Sequence, residues 1–140
     1  MKIKSGFTLI EILVVATIIV LLTATAVVTY TAFVKQSRDA KRKVDLEQIR
    51  VALEMYRSNN DVYSAYAAGN CASYSALTGT PKYIQSMPSD PKSTYNYYCS
   101  ISTSDYTLSA YLESGSGSCG GSCGGSACNY CVGPYGQTYP

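Results

Sequence analysis

Lys4-Ser5-Gly6-Phe7-Thr8-Leu9-Ile10-Glu11 opens an apolar run that continues to Val34 with Glu11 as its only charged residue. From Phe7 to Val34 there are 28 residues, roughly 42 Å of helix at about 1.5 Å per residue, against a bilayer hydrocarbon core of about 30 Å. No proline or glycine interrupts the run after Gly6. The hydroxyls of Thr17, Thr23, Thr25, Thr29 and Thr31 can bond carbonyls one turn back, so the expected state in lipid is a single spanning helix. A secretory signal would carry a shorter apolar stretch, about 7 to 15 residues, and then a small-residue cleavage site. This run is too long for that, and its acid stands near its start. An ionised carboxylate in a spanning helix costs a few kcal/mol unless it reaches the interface or a cation, which makes Glu11 a candidate functional residue.

These residues resemble the amino terminus of the type IV pilins and their relatives, the major pseudopilins of type II secretion. The match is carried by a short basic leader (Met1 to Gly6, with Lys2 and Lys4), by Gly6 and Phe7 on either side of the cut, and by Thr8-Leu9-Ile10-Glu11. The resemblance implies that a membrane-embedded prepilin peptidase cuts between Gly6 and Phe7 and N-methylates the new terminus. It also implies that Glu11 becomes the fifth residue of the mature chain, where the family carries its glutamate. The physics of the charge agrees with that role: Glu11 of one subunit can neutralise the Phe7 amine of a neighbour as the subunit leaves the membrane for a helical fibre. A buried pair adds little net stability while an unpaired charge costs several kcal/mol, so the pairing would act mainly as a selector of register.

At 140 residues the chain has room for one small domain beyond the anchor helix. The formal charge of +2 includes Lys2 and Lys4, so removing the leader brings the side-chain balance to zero. Histidine is absent, which removes the commonest general base and the commonest metal ligand. Nothing pairs a nucleophile with a base, so no enzyme and no cofactor is expected.

Beyond the apolar run, residues 35–57 continue without a helix breaker, and Leu46, Ile49, Leu53 and Tyr56 fall at helical spacing on one stripe that a small domain can cover. Asp39 with Lys43 and Arg50 with Glu54 are expected as i,i+4 pairs on a solvated face. Residues 35–43 hold Lys35, Arg38, Lys41, Arg42 and Lys43 against Asp39, a cluster that the positive-inside rule would place in the cytoplasm. In the pilin-like reading the leader lysines face the cytoplasmic side instead, and this cluster is external. Ser58-Asn59-Asn60-Asp61 ends the helix with turn-favouring residues. A loop with little periodicity is expected up to about Lys92, with one helical turn at Ser73 to Leu77 and a bend at Pro88-Ser89-Asp90-Pro91. Thr94 to Ile101 and Tyr106 to Glu113 read as an antiparallel hairpin around Ser102–Asp105. On the second strand Tyr106, Leu108, Ala110 and Leu112 alternate with Thr107, Ser109, Tyr111 and Glu113, so that one face is expected to pack on the helix stripe and the other to look outward. Tyrosines such as Tyr95, Tyr97, Tyr98 and Tyr111 read as cross-strand packing. The bend, the hairpin and the Leu-Glu ending resemble the small head of the same family.

The tail 114–140 is rich in glycine and serine, which cannot bury enough surface to order it unaided. Its order is expected from cysteines. Six are present, Cys71, Cys99, Cys119, Cys123, Cys128 and Cys131, all beyond the membrane run. An even number in a presumed exported part reads as disulfides. Cys71 and Cys99 form the natural separate pair, while the clustered four permit three pairings. The competing reading is a four-thiolate zinc site, although only Cys128 and Cys131 have the spacing of a zinc ribbon. Major pseudopilins commonly bind calcium through acidic residues in the loop after the hairpin. Here Ser114-Gly115-Ser116-Gly117 offers no carboxylate, and Glu113 alone suits poorly an ion that takes six to eight oxygens. Disulfides are expected to replace the ion, which tilts the resemblance towards a surface pilin.

The sequence therefore predicts an α+β, pilin-like lollipop: leader 1–6, transmembrane and assembly helix 7–34, amphipathic continuation 35–57, head 58–113 and disulfide-stapled tail 114–140. The resemblance implies a homo-oligomeric filament subunit, held in the cytoplasmic membrane before assembly and in an extracellular pilus after it. Its implied partners are the prepilin peptidase, the pilus assembly platform in the membrane, and membrane lipid before assembly. From Ser58 on, Lys82 and Lys92 face Asp61, Asp90, Asp105 and Glu113, net −2, so direct nucleic-acid binding is not expected. The alternatives are a type II secretion pseudopilin and, from a different class, a membrane-anchored metal-binding module.

Overall fold

In the computed structural model, which describes residues 6–138, α1 runs unbroken from Leu9 to Asn60. The expected leader residues Met1–Ser5, with Lys2 and Lys4, lie outside the described residues, as do Tyr139 and Pro140 at the end of the tail. The chain divides into two compact units, Met1–Lys35 and Gln36–Pro140.

In the first unit α1 is long and apolar enough to cross a membrane, and none of its most apolar window is buried. The hydroxyls of Thr17, Thr23, Thr25 and Thr29 donate to carbonyls three or four residues back, at 2.8 to 3.2 Å. Each threonine thereby consumes its own donor, so the lateral surface of this stretch is close to pure hydrocarbon.

In the second unit the remainder of α1 packs on a five-stranded antiparallel sheet whose order follows the chain. The strands are β1 (Tyr66–Asn70), β2 (Tyr98–Ile101), β3 (Tyr106–Ala110), β4 (Tyr130–Gly133) and β5 (Gly136–Thr138). The helical stripe is where the spacing puts it: Leu46, Ile49 and Leu53 are fully buried, Ala52 joins them, and Tyr56 packs at the margin. Burial of each large aliphatic side chain is worth about 1.5 to 3 kcal/mol. Facing them are Cys99, Leu108, Ala110 and Val132 from three neighbouring strands. The expected hairpin is present as β2 and β3, with Ile101 opposite Tyr106. Its turn is closed by the Ser102 N–H donating to the Asp105 carbonyl at 2.8 Å. After Asn60 the chain leaves the helix through Asp61, whose φ of 63° and N–H bond to the Arg57 carbonyl at 2.8 Å make a left-handed cap.

Several expectations need correction. The strands of the hairpin are shorter than Thr94–Ile101 and Tyr106–Glu113, because Tyr95 leaves the ladder to bridge Gly124 and Leu112 pairs with the Asn129 side chain. The loop 58–92 contains β1, an edge strand whose pairing to β2 is bulged between Tyr66 and Gly69. Its alternation is therefore broken, and with small residues at Ala67, Ala68 and Gly69 no period was visible. The helical turn is a 3₁₀ turn at Cys71–Ser73, two residues before the expected start, capped by Asn70 accepting from the Ala72 N–H at 2.9 Å. The tail is not ordered by cysteines alone, since it supplies two strands, and Cys131 and Val132 are buried in or beside the core. Its glycines serve close packing: a Cβ on Gly121 would stand 2.5 Å from the Tyr98 ring, and one on Gly124 would stand 2.5 Å from the Thr94 carbonyl. Both adopt positive φ, 81° and 84°.

Candidate functional site

Ahead of α1, a Cβ built on Gly6 would meet nothing within 4 Å, and Phe7 is 84% exposed. Glu11 folds back on Thr8. Its Oε2 accepts from the Thr8 N–H at 2.7 Å and from the Thr8 hydroxyl at 2.8 Å, while the Glu11 N–H donates to Thr8 Oγ1 at 3.4 Å. This reciprocal pattern is a capping box, in which a threonine and a glutamate three residues on satisfy each other's backbone donors at a helix start. The Thr-x-x-Glu spacing was visible in the sequence, but Thr8 was read only as part of the leader junction. In a single subunit, then, the carboxylate is already engaged, and a cation from elsewhere would compete with a threonine rather than fill a void.

The second constellation was not foreseen. Asp39, expected with Lys43 on a solvated face, is 4% exposed, and its neighbours Arg42 and Asp45 are 0% and 6% exposed. Arg42 donates through Nε and Nη2 to both oxygens of Asp90, at 2.7 and 2.9 Å, and through Nη1 to Asp39 at 2.8 Å and Glu113 at 3.2 Å. Arg38 forks onto the same Glu113 with two bonds of 2.6 Å. Asp39 accepts from the backbone N–H groups of Glu113 and Ser114, at 2.8 and 2.9 Å, and from the Ser114 hydroxyl. One guanidinium thus ties the bend before β2 and the chain after β3 to α1. Burial opposes the charge on Arg42, but its bonds to Asp90, Asp39 and Glu113 outweigh it and raise the pKa above the ordinary value. Burial likewise pushes the Asp39 carboxyl up, and the donors from Ser114, Glu113 and Arg42 more than offset that and hold it low. Glu113 is held low chiefly by Arg38.

The expected pairs Asp39–Lys43 and Arg50–Glu54 are replaced. Asp39 binds Arg42, Lys41 binds Asp45 at 2.8 Å, and Arg50 binds Glu47 at 3.1 Å. Glu54 instead accepts the hydroxyls of Tyr63 and Tyr106, at 3.0 and 2.7 Å. A calcium ion does not suit the stretch after β3, because both oxygens of Glu113 already accept from the Arg38 guanidinium. Helix charges, rather than disulfides alone, brace that stretch.

The cysteines pair as Cys71–Cys99, Cys119–Cys131 and Cys123–Cys128, and none of the six is free. In this pairing no sulfur is offered as a thiolate. The first bond ties the turn after β1 to β2, and the second anchors the tail to β4. No signal in the spacing selected among the three possible pairings of the last four.

Residues 1–27 match the prokaryotic N-terminal methylation motif. The chain is 32% identical over 96 residues to the type II secretion system core protein G of Pseudomonas aeruginosa, an alignment covering 63% of this chain and 68% of the relative. No solved structure gives a significant match.

Proposed function

The chain belongs to the family of type IV pilins and type II secretion pseudopilins, and from that premise we propose that it is a structural subunit polymerising through Phe7–Val34 into a type IV pilus-like surface filament. The observation that carries the proposal is the uncovered hydrocarbon surface of α1 ahead of Lys35, closed at its start by the Thr8–Glu11 box. Such a surface is stable in lipid or against copies of itself, and unstable in water. In this reading a prepilin peptidase cuts between Gly6 and Phe7, the new amine is methylated, and Glu11 of a neighbouring subunit exchanges Thr8 for that amine. Residues 1–6 are then the leader, 7–34 the membrane and assembly segment, and the part from Lys35 on the exported body. An assembly platform in the cytoplasmic membrane would extract the subunit.

A second reading is a secretion pseudopilin whose fibre stays in the envelope, and the name of the Pseudomonas relative favours it. What supports the surface reading is the Glu113 stretch, whose only carboxylate is clamped by arginines and is not offered to calcium; the two tail disulfides suit either fibre. Electron microscopy of cells, with peptide identification of sheared fibres, tests the two. Fibres outside the cell containing this chain are expected. A chain confined to the envelope would favour the pseudopilin, and a chain that stays monomeric in the membrane would defeat both.

A further inference from the structure

The three disulfides differ in how far they stand from solvent. Cys71, Cys99, Cys123 and Cys128 are fully buried and Cys131 is 1% exposed, whereas Cys119 is only half-buried. Cys119 lies between the exposed Ser118 and Gly120, and a Cβ built on Gly120 would meet nothing within 4 Å, so the chain leaves this side of Cys119 open. Its bond reaches inward to Cys131 on β4. Behind that bond, Ser109 is fully buried on β3, directly opposite Cys131 in the β3–β4 ladder, and its hydroxyl lies 3.0 Å from Cys131 Sγ. The sulfur carries no hydrogen in the disulfide, so the serine donates. A neutral sulfur is a weak acceptor, which leaves this buried hydroxyl poorly matched while the bond is closed. A thiolate at the same place would be a strong acceptor, because hydrogen bonds to ionised groups are roughly twice as strong as those between neutral ones. The hydroxyl therefore favours the state in which Cys131 carries the charge.

We propose that Cys119–Cys131 is a site of thiol–disulfide exchange, attacked at Cys119 by the thiolate of a dithiol partner, with Ser109 holding the sulfur that leaves. The exchange is open to this chain in either kind of fibre. The attacking thiolate forms a bond to Cys119 Sγ, the Cys119–Cys131 bond breaks, and its electron pair goes to Cys131 Sγ, which accepts from the Ser109 hydroxyl. The partner's second thiol loses its proton and attacks the partner's own sulfur in the mixed disulfide, releasing Cys119 as a thiolate. The partner leaves as a disulfide, oxidised by two electrons, and the two protons it gave up return to Cys119 and Cys131. Attack at Cys119 is the accessible direction, since Cys131 is enclosed by the sheet. The other two bonds join buried residues at both ends. Opening this one releases Cys119 and its neighbouring glycines from β4, while Cys123–Cys128 keeps its own small loop closed.

The experiment treats the full chain in detergent, with all six cysteines, with dithiothreitol, quenches by alkylation at intervals and maps the labelled peptides. Cys119 and Cys131 are expected to be labelled first, about tenfold or more faster than the other four. In brief exposure to glutathione, the mixed disulfide is expected on Cys119. These two readings use the unaltered chain and decide the site without any variant. Ser109→Ala is expected to slow reduction of this bond about tenfold, the worth of a hydrogen bond to a charged group, and to leave the other two rates unchanged. The sign separates the roles of the serine: if it only filled space, its truncation would loosen the β3–β4 ladder and speed the reaction. Simultaneous labelling of all six cysteines, earlier labelling of Cys123 and Cys128, or a glutathione adduct on Cys131 would overturn the proposal. An unchanged or faster rate in Ser109→Ala would do the same.

Discussion

Glu11 and Arg42 are opposite solutions to holding charge in a poor solvent. Glu11 has one local partner, Thr8, which can be replaced; Arg42 has three carboxylates and is locked. Two substitutions separate the roles of Glu11. Glu11→Val removes both the charge and the capping box, while Glu11→Gln retains a box-forming amide without the charge. If the carboxylate neutralises a neighbour's amine, both variants insert into membranes normally and lower fibre yield alike, by about tenfold or more, because an unpaired buried amine costs several kcal/mol. Wild-type yield from Glu11→Gln would reduce Glu11 to a helix cap. For Arg42→Ala, three carboxylates lose their common cation, and the Gln36–Pro140 unit is expected to lose about 3 to 5 kcal/mol in denaturant unfolding. A loss under about 1 kcal/mol would show that Arg38 and solvent suffice. Glu11 could be singled out from the sequence because one acid in an apolar run has no bland explanation. Arg42 could not, because its partners Asp90 and Glu113 are distant in sequence and nothing local distinguishes a clamped arginine from a solvated one.

Among the elements, α1 and the β2–β3 hairpin were legible because their periods are clean and their apolar contacts lie within one stripe or one face. The strands β1, β4 and β5 were hidden. β1 is bulged and built partly from alanine and glycine, and β4 sits in a stretch whose composition argues for disorder but whose Cys131 and Val132 complete the core. The cluster of five cations at Lys35–Lys43 also reads differently once folded, since Arg38, Lys41 and Arg42 are matched by Glu113, Asp45, Asp39 and Asp90. Reduction tests the tail directly. With the disulfides opened, hydrogen exchange should rise first between Ser114 and Asn129, while β4 stays protected by its ladder to β3 and by Val132. Simultaneous loss of β4 protection would mean that crosslinks hold the whole tail, as composition alone had suggested.

At the scale of the molecule, two sets of titrations bound the stability of the Gln36–Pro140 unit. Asp39 and Glu113 have folded pKa values below their ordinary ones, so their contribution is complete above about pH 4.5 and is lost as the pH falls through the folded values. Burial, followed by hydrogen bonds to Asp45 and Glu54, raises the hydroxyl pKa values of Tyr97 and Tyr106, so their contribution is complete below about pH 10 and fades above it. Thermal unfolding should therefore show a plateau between these limits, with Glu113→Gln blunting the acid fall and Tyr106→Phe the alkaline one. An unchanged midpoint from pH 3 to pH 11 would contradict the assignment.

The central claim is that this chain becomes a fibre subunit by losing its leader and burying Phe7–Val34 against copies of itself, and the intact mass of subunits from purified fibres addresses it most directly. The expected result is fibres whose subunits begin at a methylated Phe7 and carry three intact disulfides. A mature chain that still begins at Met1, or that is cut after the apolar run and released as a soluble monomer, would contradict it.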